Sequence, residues 1–292
     1  MLPKEILAQI KHIQLKAGYL VTDALAGEFS SAFKGSGVEL DKVREYTEGD
    51  DVRAIDWNVT ARMNYPFIKI YKEERELTLM LMIDVSSSLN FGTTGKFKNE
   101  VAAELAAVLA FLATKNNDKV GLIIFSDHVE HYIPPKKGRS HIWMIIRTIL
   151  THKSKGTKTH LKSACDFMVQ ICKKKSACFL LSDFICETRS KALSQIARRH
   201  NLVCVGINDQ REQKMVPCGY TSFVDLETGR TMMVDTYSKK FREIFAQKRI
   251  NEKESLLKEF KRNKIDYFEV NTKDSLVTPL IRYIRKRERQ KR

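Results

Sequence analysis

A chain of 292 residues with 43% apolar and 29% charged side chains has the composition of a globular protein, either one large domain or two ordinary ones. That excludes the disordered and low-complexity classes, and no run reaches the roughly 18 continuous apolar residues a membrane helix needs. Lysine plus arginine number 51 against 35 aspartates plus glutamates, and the resulting net charge of +16 favours acidic partners.

The first stretch, MLPKEILAQIKHIQLKAGYL, spreads lysines through itself and lacks a secretory apolar region. Its Ile6, Ile10 and Ile13 fall at helical spacing instead. After that helix, GEFSSAFKGSGVEL reads as loop. VREYTEGDDVRAIDWNVTARM follows, dense in charges and aromatics. Asp50 or Asp51 can cap a short helix there, with Ile55, Val59 and Met63 on one face. PFIKIYKEERE reads as a strand with charges on one side.

From Leu77 onward the pattern becomes regular. LTLMLMI is a near-continuous apolar run, as in a strand buried on both faces. A helix over about 96–114 carries Val101, Leu105, Val108, Leu109 and Leu112 on one stripe. KVGLIIF predicts another buried strand and VEHYIPP an edge-like one, with helices near 139–150 and 161–173. ACFLLSD, a helix near 189–199 and LVCVGIN continue the alternation. YTSFVDLETGRTMMVD predicts a hairpin turning at Glu227-Thr228-Gly229. A charged helix over about 238–262, the strand IDYFEVN, and a helix from near Asp274 into the cationic end RYIRKRERQKR complete the chain.

Buried strands alternating with amphipathic helices predict an α/β fold with a mostly parallel sheet covered on both faces. The expected organisation is an N-terminal extension over 1–76 and an α/β domain over 77–292, with a hairpin insertion near 218–236. The six cysteines, Cys165, Cys172, Cys178, Cys186, Cys204 and Cys218, form no C-x-x-C pair. Several sit inside apolar patterns, so buried reduced thiols in a cytoplasmic protein are expected.

Ligands in parallel sheets bind beyond the carboxyl ends of the strands, where Asp84 and Asp183 fall. The stretch MLMIDVSSSLNF around Asp84 invites several chemistries. No G-x-S-x-G elbow surrounds its serines, and His128 and His160 read as ordinary loop histidines. GTTGKF is no P-loop, because Asn90 stands five places before Gly95 and Phe97 replaces the magnesium-binding hydroxyl. A D-x-D phosphatase pattern is absent as well.

Divalent-ion binding suits these residues better. Magnesium and manganese take oxygen ligands and need few carboxylates. Asp84, Ser86 and Ser88 alternate, so an extended loop can turn all three the same way. Asp183 can close another side, and KGTKTHLKSACDFM offers Thr157 or Thr159. The simpler alternative is that the serines only cap and turn the chain after a strand.

The D-x-S-x-S run at 84–88, the threonine loop and the later strand-ending S-D resemble the metal-ion-dependent adhesion site of von Willebrand factor type A domains. The resemblance implies a Mg2+ or Mn2+ site formed by Asp84, Ser86, Ser88, Thr159 and Asp183, with a partner's carboxylate at the open position. Thr159 is chosen over Thr157 because Thr159-His160-Leu161 followed by Ala164-Cys165 matches that family's spacing. The family's usual G-G-T is replaced here by Gly156-Thr157-Lys158-Thr159.

A second pattern lies upstream: Gly37, then Arg44-Glu45-Tyr46, Gly49-Asp50, Arg53, Ile55-Asp56-Trp57 and Ala61-Arg62. It resembles the hallmark of the bacterial "domain of unknown function, number 58" family, type A-like proteins found beside MoxR-type AAA+ ATPases. Read as side chains, Arg44, Asp50, Arg53, Asp56 and Arg62 are expected to form a salt-bridged lattice that docks Tyr46 and Trp57 onto the main domain. A surface for a partner is the other reading.

The combined expectation is a non-enzymatic, cytoplasmic adaptor that binds an acidic side chain of a protein partner through its ion. By the resemblance, that partner is a MoxR-type ATPase or its client. Two alternatives stand beside it: nucleic-acid or anionic-surface binding through the basic charge, and a metal-dependent hydrolase using the same acids.

Overall fold

The computed structural model describes residues 22–33, 38–73, 76–93, 95–186 and 191–291. The expected helix over the first residues and Gly37 lie outside the described residues.

In chain order the helices and strands begin with α1 (Asp23–Phe33), β1 (Val38–Glu45), α2 (Trp57–Met63), β2 (Phe67–Glu73) and β3 (Thr78–Asp84). Next come α3 (Lys98–Lys115), β4 (Lys119–Phe125), β5 (Val129–Lys136), α4 (Arg139–Thr151) and α5 (Leu161–Ile171). Then follow β6 (Ala177–Ser182), α6 (Lys191–Arg199) and β7 (Asn201–Asn208), with a single helical turn at Gln210–Gln213. The chain ends through β8 (Tyr220–Val224), β9 (Thr231–Asp235), α7 (Lys239–Arg262), β10 (Asp266–Asn271) and α8 (Val277–Lys291).

These elements form two compact units, a smaller one over Lys34–Leu77 and a larger one made of the remainder. The larger unit is built on a six-stranded sheet ordered β10-β7-β6-β3-β4-β5, parallel except for the antiparallel edge strand β5. The inner strands are buried on both faces, which is why they read as unbroken apolar runs. Period-two alternation splits their side chains between the faces. Met80, Met82, Cys178, Leu180 and Cys204 meet α5, α6 and the Leu256–Phe260 turn of α7 on one face. On the other, Phe29 and Phe33 of α1 lie with ring centroids 6.3 and 5.4 Å from Phe179.

That contact corrects one expectation. GEFSSAFKGSGVEL is not loop: its first part is α1, and Val38 onward begins β1. Glycine inside a helix costs about 1 kcal/mol. Gly27 is tolerated because Leu25, Phe29 and Phe33, spaced four apart, bury one face of α1. The extension expected over 1–76 divides accordingly, since α1 belongs to the larger unit and the smaller unit ends at Leu77.

In the smaller unit β1 and β2 pair antiparallel from Val38↔Glu73 to Glu45↔Phe67, with an irregularity between Leu40 and Lys42. The predicted hairpin forms its own two-stranded sheet, from Tyr220↔Asp235 to Val224↔Thr231. Cys165, Cys178 and Cys204 are buried free thiols as expected, whereas Cys218 is exposed. Among the described residues no helix is long and apolar enough to cross a membrane.

Candidate functional site

Strand order reverses beside β3: the chain runs from β3 to β4 and β5 on one side, and from β6 to β7 and β10 on the other. A crevice opens at the carboxyl ends on either side of such a switch point. Asp84 is the last residue of β3, and Asp183 directly follows β6. The topology therefore brings the two acids to adjacent strand ends.

Asp84 and Ser86 are fully buried. One carboxylate oxygen of Asp84 accepts from the Ser86 amide at 2.9 Å, which folds the loop back over the strand end. The other accepts from Ser182 Oγ at 2.6 Å. Burial, then the neighbouring Asp183, push the Asp84 carboxyl up to about 7, against the hydrogen bonds from Ser182 and Ser86. A buried carboxylate so placed is short of positive charge.

The three hydroxyls proposed from the pattern come together. Ser86 Oγ lies 3.1 Å from Ser88 Oγ, and Thr159 Oγ1 lies 2.8 Å from Ser86 Oγ. Thr157 takes a different part: its side chain is exposed, and its carbonyl accepts from the Ser87 amide at 3.1 Å. Thr157 stitches the two loops together while Thr159 turns inward. The stitching is continued by the His160 amide donating to the Ser126 carbonyl at 2.8 Å.

Glu130 organises the threonine loop from beneath. Its buried carboxylate accepts from Ser126 Oγ at 2.5 Å, Ser154 Oγ at 3.1 Å and the amides of Lys155 and Gly156, with His152 Nε2 at 2.7 Å. A side chain at Gly156 would collide with Ser126 and Asp127, so the loop approaches that closely only with glycine there.

Lys98, at the start of α3, is fully buried with its ammonium 2.8 Å from Asp183 Oδ2 and 2.7 Å from Glu212 Oε1. Burial opposes the charge, but Asp183 and Glu212 together carry the Lys98 pKa above its ordinary value. The other Asp183 oxygen accepts from the Ile185 amide at 3.2 Å. Asp183 is thus already half-neutralised by the protein, and Asp84 is not.

One further acid reaches the hydroxyls. Glu227, in the turn between β8 and β9, places Oε1 3.0 Å from Thr159 Oγ1. Burial raises its carboxyl above the ordinary value, partly offset by the Thr159 bond, and the charge of Asp183 adds to the rise. Ser182 is the serine of the strand-ending S-D, whereas Lys98, Glu130 and Glu227 were not among the residues expected from the sequence. Nothing local marks them: Lys98 opens an apolar helix, and Glu227 reads only as part of a turn.

In the smaller unit the hallmark residues form a tighter arrangement than the expected lattice. Arg44 pairs bidentately with Asp50 at 2.7 and 2.8 Å, and Asp50 also accepts from the Thr47 amide at 2.9 Å. Gly49, at φ 103°, makes the turn that returns the chain to Arg44. Asp56 is the N-cap of α2, accepting from the Asn58 and Val59 amides, and its ion-pair partner is Lys69 at 3.5 Å. Tyr46 is half-buried, and its amide donates to the Pro66 carbonyl at 2.8 Å, extending the β1–β2 ladder. Trp57 is 69% exposed, and Arg53 and Arg62 are exposed too.

Among the described residues no three or more His, Cys, Asp or Glu side chains gather as a metal cage. The donor set at β3 and β6 is instead hydroxyls with two acids, the hard oxygen chemistry that suits Mg2+ or Mn2+.

Known proteins of similar sequence carry no assigned activity. Uncharacterized protein Rv1480 of Mycobacterium tuberculosis (strain ATCC 25618 / H37Rv) is 29% identical over 228 residues, covering 77% of this chain and 72% of its own. Uncharacterized protein Mb1516 of Mycobacterium bovis matches to the same extent. Among solved structures, the conserved hypothetical protein BatB from Bacteroides thetaiotaomicron is similar at 16% identity and a TM-score of 0.48, over 73% of this chain and 99% of that one. An aerotolerance-related membrane protein from Bacteroides fragilis NCTC 9343 has a TM-score of 0.47 at 16% identity, over 72% and 99% of the two chains. The family described as "Protein of unknown function DUF58" matches residues 42–255, which takes in the hallmark residues from Arg44 to Arg62 and the acids at the ends of β3 and β6. The chain belongs to the DUF58 family.

Proposed function

We propose that this chain is a non-enzymatic, metal-ion-dependent protein-interaction module with a von Willebrand factor type A-like fold. It acts as a cytoplasmic adaptor for a MoxR-type AAA+ ATPase in maturing or remodelling a client complex. The observation that carries the metal-dependent part is the convergence of Ser86, Ser88 and Thr159 hydroxyls beside Asp84 and Asp183 at the switch point of the sheet. The ATPase partner rests on the resemblance of the hallmark residues alone.

The donors fit an ion of this class. Neighbouring oxygens around an octahedral ion with bonds near 2.1 Å stand about 3 Å apart. The hydroxyls, hydrogen-bonded to one another at 2.8 and 3.1 Å, are close enough to share one ion. A bound Mg2+ or Mn2+ would supply positive charge and a coordination position for a partner's carboxylate. Ser86, Ser88 and Thr159 would hold it through their oxygens. Asp84, with both oxygens already steered by Ser86 and Ser182, would compensate its charge directly or through water. Asp183, shared with Lys98, would be the weaker of the two carboxylate ligands. The basic surface of the chain suits an acidic partner.

The test is capture of a co-expressed MoxR-type ATPase by the tagged chain, with and without chelator, and with the double substitution Asp84→Ala, Ser86→Ala. Capture is expected to require both the ion and the intact loop. Equal recovery under all conditions would refute the reading.

A further inference from the structure

The hairpin formed by β8 and β9 has an uneven surface. From Ser222 to Met233 every residue is exposed except Glu227. The exposed residues include Phe223, Val224, Leu226, Met232 and Met233, so apart from Val234 beside the base the element has not folded its apolar side chains onto the domain. What it does insert is a single carboxylate at its tip.

The turn is built to present that carboxylate. Asp225 accepts from the Glu227 amide at 3.0 Å and from Thr228 Oγ1 at 2.5 Å, and the Gly229 amide returns to the Asp225 carbonyl at 2.7 Å. At the base, buried Thr236 donates to the Gly219 carbonyl at 2.7 Å and accepts from the Cys218 amide at 2.8 Å. The hairpin is therefore tied at its base and at Glu227, with two short strands between. A two-stranded sheet that packs so little of its surface is marginal alone.

Glu227 Oε1 stands 3.0 Å from Thr159 Oγ1, the same spacing that separates the hydroxyls from one another. The Thr159 hydroxyl has one proton, so it donates either to Ser86 or to Glu227, and an ionised acceptor is the stronger. A carboxylate at that spacing is the next oxygen in the array of Ser88, Ser86 and Thr159.

We infer that the hairpin is a built-in occupant of this chain's own ion site, Glu227 taking the place open to a partner's carboxylate. The inference rests on the proposed ion site and adds its regulation: a partner's acid competes with Glu227, and the hairpin lifts away when it wins. The free chain is then closed. The partner acquires both the ion and the apolar hairpin surface that release leaves free to rearrange.

The experiment uses the full chain with Mn2+ as the only added ligand. Mn2+ affinity is measured by titration calorimetry, and exchange of the 218–236 amides by hydrogen–deuterium mass spectrometry. Wild type, Glu227→Gln and Asp84→Ala are compared, after circular dichroism shows equal folding of the first two. Mn2+ is expected to slow hairpin exchange in the wild type but not in Glu227→Gln, whose affinity falls roughly tenfold. Acetate titrated into the Mn2+-loaded wild type is expected to reverse the protection. Asp84-dependent Mn2+ binding that is indifferent to Glu227, or protection that acetate leaves intact, would overturn the closed-hairpin inference alone. Mn2+ binding that is absent, or equal in wild type and Asp84→Ala, would overturn the ion site and this inference together.

Discussion

Lys98 illustrates how much one buried side chain can decide. It joins Asp183, 85 residues away in sequence, to Glu212, 114 residues away, by direct ion pairs. An ammonium at that depth is tolerable only because two acids face it, and each acid depends on it in turn. Replacing Lys98 with methionine keeps much of the volume and removes the charge. The expected loss is about 3–5 kcal/mol of stability, read from urea denaturation, because two carboxylates are left buried without a cation. Asp84 has no such partner among the described ion pairs, and the proposed ion site rests on that contrast.

At the scale of one element, the loop from His152 to Thr159 owes its shape to Glu130. Burial disfavours the charged carboxylate, but the hydrogen bonds from Ser126, Gly156, His152 and Lys155 outweigh it and lower the pKa from 4.5 to about 2. A depressed carboxylate stabilises the fold fully above its unfolded value. That contribution is lost as pH falls from about 4.5 toward 2. With the side chain shielded from solvent, the contribution is on the order of 3 kcal/mol. Glu130→Gln is therefore expected to be less stable than wild type at pH 7 and to lose part of the wild type's acid sensitivity between about pH 4.5 and 2. Thermal melts across that range would check it; identical pH profiles would show that Glu130 does not hold the loop. The small residue Gly156 and the large hydrogen-bond load on Glu130 are two aspects of one requirement, that the loop lie close enough to β4 for Thr159 to reach Ser86.

At the scale of the whole molecule, the larger unit is closed on one face by a helix that precedes the smaller unit in the chain. Phe29 and Phe33 of α1 cover Phe179 at the middle of the sheet, and Phe33 also approaches Tyr283 of α8 at 6.4 Å. The first and last described helices therefore share a core. Phe29→Ala is expected to cost about 3–5 kcal/mol by opening a cavity over β6. A fall in the denaturation midpoint with unchanged slope is the expected observation. A fall below about 1 kcal/mol would mean that α1 is only loosely held.

The order of the elements was legible in the sequence because helices and buried strands write local periods into their apolar residues. KVGLIIF matched β4 end to end, and the hairpin and α7 fell within a residue or two of their expected bounds. Asp84 and Asp183 could be assigned to one sheet edge because parallel strands all end on the same side. α1 was not legible: its burial depends on Phe179, about 150 residues downstream, and Gly27 and paired serines weaken its local signal. Nor were Lys98, Glu130 and Glu227, whose partners lie 68 to 114 residues away or on the far side of a loop. Local periods were enough to write out an alternating α/β chain with a hydroxyl-rich acidic loop at a strand end. Which charges face that loop emerged from the fold alone, because a carboxylate's partner is set by long-range packing that no local period records.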